Sequence, residues 1–203
     1  MQDIFTELDI SVTELTSLIN ENVNTYSILY GYSAEIHLRK IFETDDRIES
    51  CKKYDDHDTN NRHDLAVMYK GREYTLESKC IQNNSLNIED DEWSGKVQVQ
   101  YSSGHFQDLP NGEQFYSKVR EFGEFDILAV ATNKLGNGWE FFYALNRDLP
   151  MTNAKKIPDE YQHRYVKSHF DISPDSEIFV RDPFVLLERL HTERENTTKF
   201  LRR

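Results

Sequence analysis

The chain has 203 residues, of which 37% are hydrophobic and 30% are charged, so it is long enough to bury the core of one domain. No apolar run approaches membrane-spanning length, and the acidic first ten residues lack the layout of a signal peptide. The net charge of −12 excludes a uniformly basic surface that binds phosphate backbones by charge alone. Cys51 and Cys80 lack metal-site spacing, so we expect reduced thiols in a cytoplasmic protein.

The N-terminal part of the chain predicts two helices ahead of a first strand. Apolar residues recur at helical spacing over residues 11–22 and again over residues 33–43. Ser33 is a candidate N-cap of the second helix, and Glu35 lies at the edge of its apolar stripe. The helix dipole favours an acidic residue in the first turn, which would explain Glu35 without a further role. Residues 46–53 are expected to form the first strand.

Two short strands rich in apolar and aromatic residues follow, at residues 65–69 and 74–81. Lys70 and Gly71 between them read as the turn of a β-hairpin. The hairpin turn fixes which residues of the two strands lie opposite each other.

The register of this hairpin brings three charged residues together. If Tyr69 pairs with Arg72, then Asp64 lies directly opposite Glu77. Directly opposite side chains have Cβ atoms roughly 4.5–5.5 Å apart. Lys79 lies beside Glu77, because side chains two apart on a strand share a face. Two carboxylates and one ammonium group are therefore expected on one patch.

This patch is suited to binding a metal ion. Two carboxylates this close repel each other unless a cation lies between them. A small number of hard oxygen ligands suits Mg²⁺, and a metal-bound water is a nucleophile. The alternative is a solvated cross-strand salt bridge. Against it, the charges are embedded in the apolar residues 76–81, which predict a central strand.

Asp64 followed by Glu77-Ser78-Lys79 on the next strand resembles the PD-(D/E)xK nuclease superfamily, which includes many type II restriction endonucleases. His63 stands where the motif name has proline. The resemblance implies an α/β fold with a restriction-endonuclease-like core, in which helices flank a mixed central β-sheet. It further implies that Asp64 and Glu77 bind Mg²⁺ and that Lys79 stabilises charge or assists proton transfer.

The resemblance is specific over residues 31–81 and extends to two weaker matches. Members often carry a glutamate on the helix before the core sheet, and Glu35 matches that place as a further metal ligand. Several members carry a glutamine after the Glu-x-Lys strand that helps to place DNA or water. Gln98 or Gln100 would match it, and the alternative is a polar residue on the solvent face of a strand.

The remaining predicted elements are, in chain order, a polar connection (83–95), a strand (96–101), a loop (102–114), a hairpin of strands at 125–131 and 139–145 with its turn at 136–138, and a final helix opened by Asp182-Pro183.

The predicted loop at residues 102–114 is a candidate DNA-reading surface. His105, Gln107 and Asn111 are side chains that can read base edges, and Phe106 could wedge or stack between bases. The alternative is an ordinary surface loop.

Charge is unevenly distributed along the chain. Acidic residues concentrate at residues 55–58 and 89–92, which are expected to be solvated loops. Basic residues gather elsewhere, and Lys118 and Arg120 are candidate DNA contacts. Binding depends on such local fields, so the net negative charge does not rule out a DNA substrate.

We therefore expect a single nuclease domain with N-terminal helices over residues 1–45, a catalytic core over about 46–150 and a C-terminal extension over 151–203. The expected activity is Mg²⁺-dependent cleavage of double-stranded DNA by a type II restriction enzyme that defends against foreign DNA. Since one hydrolytic site cuts one strand per visit, we expect a homodimer.

Three other functions stay open. A repair or junction-resolving nuclease would have the same site. An acidic interaction protein or DNA mimic would have the charge without the chemistry. His63-Asp64 together with His37 also resembles the HD phosphohydrolases, although these are all-helical and His63-Asp64 opens a predicted strand.

Overall fold

The computed structural model describes residues 3–54, 63–89, 92–136 and 138–201. The described chain is a mixed α/β protein with four α-helices: α1 (Ile4–Leu8), α2 (Val12–Glu21), α3 (Val23–Glu43) and α4 (Pro183–Leu201). Its strands are β1 (Ile48–Lys53), β2 (Leu65–Tyr69), β3 (Arg72–Cys80), β4 (Asn87–Glu89), β5 (Glu92–Gln98), β6 (Gln100–Asp108), β7 (Gln114–Val119), β8 (Ile127–Ala131), β9 (Phe141–Leu145) and β10 (His169–Ile172). None of the described helices is long and apolar enough to span a bilayer.

The central sheet has five strands in the order β1-β2-β3-β8-β9. β3 pairs with β8 in parallel and the other neighbours pair antiparallel, so the sheet is mixed. β3 is therefore the middle strand, which confirms that the Glu-x-Lys segment lies in the centre of the sheet. A three-stranded sheet, β10-β5-β4, and a two-stranded ribbon, β6-β7, complete the β-structure.

The predicted turn between β2 and β3 is present. Lys70 and Gly71 have φ angles of 49° and 71°, both in the left-handed region. This conformation suits a two-residue hairpin, because its twist matches the twist of the strands. Tyr69 pairs with Arg72, as the sequence predicted.

Each face of the central sheet covers its own hydrophobic core. Alternate strand residues such as Leu76 and Ile127 pack against α3 and α4, through Leu38 and Leu187. The opposite face, which includes Leu128, packs against residues of the three-stranded sheet β10-β5-β4. This alternation is the expected pattern for a sheet that is buried on both faces.

The helix predictions are partly confirmed. α2 matches the first predicted helix and begins with a capping box between Ser11 and Glu14. α4 begins at the predicted place, where the Asp182 carboxylate accepts a hydrogen bond from the Phe184 amide. However, α3 begins ten residues before Ser33. The Ser33 hydroxyl instead donates to the Leu29 carbonyl, a bond that serines also form inside helices.

Two predicted irregular segments form strands. Residues 83–95 contain β4 and the start of β5, and most of residues 102–114 belong to β6 and its turn into β7. Residues 105–108 of β6 pair with β7, and the Gly- and Ser-rich residues 102–104 lie within a register shift between Gln100 and His105. The acidic run at 55–58, part of the one at 89–92, and Asn137 of the predicted 136–138 turn lie outside the described residues.

Candidate active site

The derived register brings the predicted acidic residues to the same place. β2 and β3 pair with Leu65 opposite Leu76, so Asp64 comes directly before the first pair. The Asp64 amide donates to the Leu76 carbonyl at 3.0 Å. Its carboxylate Oδ2 accepts a hydrogen bond from the Ser78 amide at 2.7 Å. The backbone of β3 thus holds the Asp64 side chain beside the Glu-x-Lys segment.

Glu77 lies at the centre of a buried ion cluster. Its side chain is 1% exposed, and the Lys79 ammonium lies 2.5 Å from its Oε1. The Arg120 guanidinium forms an ion pair with its Oε2 and also approaches Glu124 at 3.3 Å. Arg120 follows β7 directly, so the β6-β7 ribbon is joined to the centre of the main sheet by this contact.

The charges of this cluster stabilise one another. Burial disfavours the ionised form of Glu77, but the charges of Lys79 and Arg120 outweigh that effect and lower its pKa. Burial likewise disfavours the charged form of Lys79, but Glu77 and Asp64 outweigh it and raise the pKa. Both side chains are therefore held charged inside the protein.

Asp64 differs from Glu77 and Lys79 because the environment disfavours its ionised form. Burial, followed by the negative charge of Glu77, raises its pKa to about 7. The Lys79 ammonium and the Ser78 amide offset only part of this effect. A carboxylate in this state gains from any cation that binds beside it.

A cavity of about 490 Å³ opens beside these residues. Asp64 and Lys79 line it, and so does Glu35. Glu35 lies in the middle of α3, so its position has nothing to do with a helix N-terminus. Its Oε2 is 2.7 Å from the Lys53 ammonium, which fixes the side chain on the cavity wall.

The oxygen donors at this cavity fit a Mg²⁺ ion with few protein ligands. No group of three His, Cys, Asp or Glu side chains forms a ready-made cation site within the described ranges. Asp64 and Glu35 line the same cavity, and Mg²⁺ usually binds one or two carboxylates and keeps several waters. Both Glu77 oxygens are in ion pairs, so Glu77 would bind an ion only by exchanging a partner.

Two of the six candidate DNA contacts face the interior of the protein. Gln107 is 6% exposed, and its amide donates to the Val119 carbonyl, so it is not available to read bases. Arg120 is bound to Glu77 and is not a surface contact. Both belong to the packed side of the β6-β7 ribbon. Gln107 lies on strand β6, and the loop predicted for residues 102–114 did not anticipate that its side chain faces inward.

The others are nearer to solvent. Asn111 donates to Glu113 in the β6-β7 turn, and the Lys118 ammonium donates to the Ser102 carbonyl. The His105 ring packs edge-on against Tyr101, with centroids 4.4 Å apart. Gln98 accepts a hydrogen bond from Gln82, and both line the cavity beside Asp64. Gln98 is thus the one predicted DNA contact that lines the cavity beside Asp64.

The alternative of an HD phosphohydrolase, which would be all-helical, does not match the structure. His63 and Asp64 lead into β2 and not into a helix.

The Cys80 thiol is partly buried at the cavity wall, and burial raises its pKa to about 11. Cys80 is therefore protonated at neutral pH, in keeping with a packing role.

Comparisons with protein-family models, curated proteins and solved structures found no match for this chain. What the site can do is therefore inferred from its own geometry.

Proposed function

We propose that this protein is a Mg²⁺-dependent nuclease that hydrolyses phosphodiester bonds in double-stranded DNA, with a core of the restriction-endonuclease type. The proposal rests on one observation above all. Asp64, Glu77 and Lys79 meet beside a cavity on the middle strand of a mixed sheet, in the register that the sequence predicts. A purely structural salt bridge does not require a further carboxylate with a raised pKa beside it.

Each residue of the cluster has a distinct task in this proposal. Asp64 and Glu35, which line the same cavity, would hold the ion. Bound Mg²⁺ would supply a water of lowered pKa and neutralise charge on the phosphate. Lys79 lines the cavity and would stabilise negative charge that develops on the phosphate oxygens. Glu77 would keep the Lys79 ammonium charged and in place, and Arg120 would hold the other oxygen of Glu77.

Cleavage of both DNA strands would call for a homodimer, in which two sites related by two-fold symmetry face opposite strands. The first three helices carry exposed apolar side chains that a second copy could cover. They include Ile4, Leu8, Val12, Leu18, Val23 and Ile28. Patches of this kind commonly mark interaction surfaces.

A non-catalytic acidic protein, such as a DNA mimic, is the second candidate. The observation that favours it is the closed ion cluster, because Glu77 is already neutralised by two cations. A repair or junction-resolving nuclease would use the same residues as a restriction enzyme.

One experiment separates these functions. The protein is incubated with phage or plasmid DNA and Mg²⁺, and the products are separated on a gel. Discrete bands support a sequence-specific restriction enzyme, whereas cleavage only of branched or damaged DNA supports a repair nuclease. Intact DNA in every lane, with a folded protein, supports the non-catalytic protein.

A further inference from the structure

The cavity beside Asp64 has a second set of lining residues that the proposed hydrolysis does not use. Tyr26 and Tyr30 lie one turn apart on α3, with ring centroids 6.0 Å apart and planes inclined by 30°. The Tyr30 and Trp139 ring centroids are 5.4 Å apart, and Trp139 stacks on His37 with centroids 4.6 Å apart. The four rings form a continuous row, and Tyr26 at its end is 43% exposed.

The inner part of this row is fixed in place. The Tyr30 hydroxyl donates to the side-chain oxygen of Asn133. The Lys134 ammonium lies 4.5 Å from the Tyr30 ring centroid and donates to the Ile81 carbonyl. Tyr26 therefore rests on a rigid support, while its own ring is open to a ligand in the cavity.

Two amide side chains line the same cavity and bind each other. The Gln82 amide nitrogen donates to Gln98 Oε1 at 2.9 Å. Such a pair leaves one amide NH₂ group and one amide oxygen for a ligand, and this holds whichever way the two amides are turned. A donor next to an acceptor is what the edge of a nucleobase requires.

We propose that this cavity binds a nucleotide whose base has left the double helix. The base stacks on Tyr26, Gln82 and Gln98 bind its edge, and its phosphate lies toward Lys79 and Asp64. This inference rests on the proposed nuclease function and names the form in which the substrate enters the site: a single-stranded segment or an extruded nucleotide beside the scissile phosphate.

Size and energetics are consistent with this ligand. The cavity volume of about 490 Å³ lies within the range of roughly 300–1,000 Å³ typical of small-molecule sites. Base–aromatic stacking contributes about 1–3 kcal/mol per base in proteins that bind single strands. The Watson–Crick edge of a base becomes accessible to side chains only when the base is unpaired.

The test measures binding without cleavage. A fluorescein-labelled single-stranded oligonucleotide is titrated with protein in a buffer that contains Ca²⁺ instead of Mg²⁺, and fluorescence anisotropy gives the affinity. Tyr26→Ala should weaken binding about ten-fold, and Tyr26→Phe, which keeps the ring, should stay within about two-fold of the parent. Tyr116→Ala is the matched control, because Tyr116 is also an exposed tyrosine, at 59% against 43% for Tyr26, and lies on β7 outside the cavity lining. Equal losses in Tyr26→Ala and Tyr116→Ala, or no loss in either, would overturn the proposal.

Competition distinguishes the sources of the ligand. Unlabelled single strand should displace the probe at lower concentration than a blunt duplex of the same sequence. Displacement by deoxynucleoside 5′-monophosphates as well would show that a free nucleotide suffices, whereas displacement by the strand alone would show that the ligand is a polynucleotide. A duplex that competes better than the single strand supports an extruded nucleotide if Tyr26→Ala weakens duplex binding, and it contradicts the inference if Tyr26→Ala leaves duplex binding unchanged.

The result is independent of whether the protein cleaves DNA. Binding that depends on Tyr26, in a protein that leaves every DNA substrate intact with Mg²⁺, would keep this inference and remove the nuclease proposal. Cleavage that depends on Lys79 but not on Tyr26 would do the reverse.

Discussion

Arg120 forms a buried ion pair with Glu77 through Oε2, while Lys79 occupies Oε1 of the same carboxylate. Arg120 also packs over the Tyr101 ring, 4.5 Å from its centroid. The guanidinium thus connects the β6-β7 ribbon to the middle strand of the main sheet. Loss of Arg120 would leave a carboxylate in the interior with one cation instead of two.

We expect Arg120→Met to lower the free energy of unfolding by about 3–5 kcal/mol, because one partner of a buried ion pair is removed. Arg164→Met is the matched control, since Arg164 pairs with Glu121 at 3.4 Å near the surface and both side chains are one-third exposed. It should cost about 1 kcal/mol or less. Urea unfolding at pH 7 measures both, and equal small losses would show that the Glu77–Arg120 pair is solvated.

Lys79→Ala and Asp64→Asn should each reduce DNA cleavage on the order of 10³-fold or more. When catalytic residues act as a unit, removal of one member abolishes most of the effect of the whole set. Lys52→Ala is the control, since Lys52 is an exposed lysine on the edge strand β1. The rate at which supercoiled plasmid disappears with Mg²⁺ gives the activity, and circular dichroism confirms the fold. Full activity in either folded variant would remove these residues from the active site.

The β2-β3 hairpin was predictable because its determinants are local. Lys70-Gly71 specifies the turn, and the alternation of apolar residues specifies the faces, so the position of Asp64 relative to Glu77 follows from counting. The contact between Lys79 and Glu77 is local in the same sense.

The partner of Glu77 was not predictable from sequence, because it comes from a distant strand. Arg120 reaches Glu77 only because the β6-β7 ribbon packs against the core. The distribution of charged residues along the chain predicted Arg120 to be a surface contact for DNA instead. The inward position of Gln107 depends on the same kind of distant contact, since residues 105–108 form a strand by pairing with β7. Tyr26 and Tyr30 precede Ser33, the predicted N-cap, so the sequence pattern does not place them on the helix that carries Glu35.

The stability of the protein should depend on pH through Asp64. The pKa of Asp64 is raised from its ordinary value of 3.8 to about 7 by burial and by Glu77. A raised pKa means that ionisation is less favourable in the folded than in the unfolded chain. The contribution of Asp64 to stability is therefore fully present below about pH 4 and is lost as the pH rises through 7.

Asp64→Asn should remove this dependence, because the amide keeps an oxygen for the Ser78 amide but cannot ionise. At pH 8 the variant should be more stable than the parent by on the order of 2–4 kcal/mol, and at pH 4 the two should be nearly equal. Asp171→Asn, at an exposed position of β10, should have the same small effect at both pH values. Urea unfolding at the two pH values gives the difference, and a variant that is less stable than the parent at pH 8 contradicts the raised pKa.

DNA binding should depend on a divalent cation, because the candidate site is acidic where it would face the scissile phosphate. Asp64 and Glu35 line the cavity, and like charges at short range repel more strongly in a partly desolvated site than in water. A divalent ion reverses the sign of this local field. Ca²⁺ should therefore tighten binding without supporting cleavage, since its larger and looser coordination places water and phosphate less well than Mg²⁺ does.

A gel-shift titration on DNA that the parent cleaves, first with EDTA and then with Ca²⁺, measures this effect. Parent protein should bind about ten-fold more tightly with Ca²⁺, a difference of about 1.4 kcal/mol. Asp64→Asn should bind more tightly than the parent in EDTA, because one repelling charge is gone, and should gain little from Ca²⁺. Asp171→Asn should respond to Ca²⁺ as the parent does, which excludes a general effect of net charge. A parent protein that is indifferent to Ca²⁺, together with an Asp64→Asn variant that binds more weakly in EDTA, would show that Asp64 does not face the phosphate.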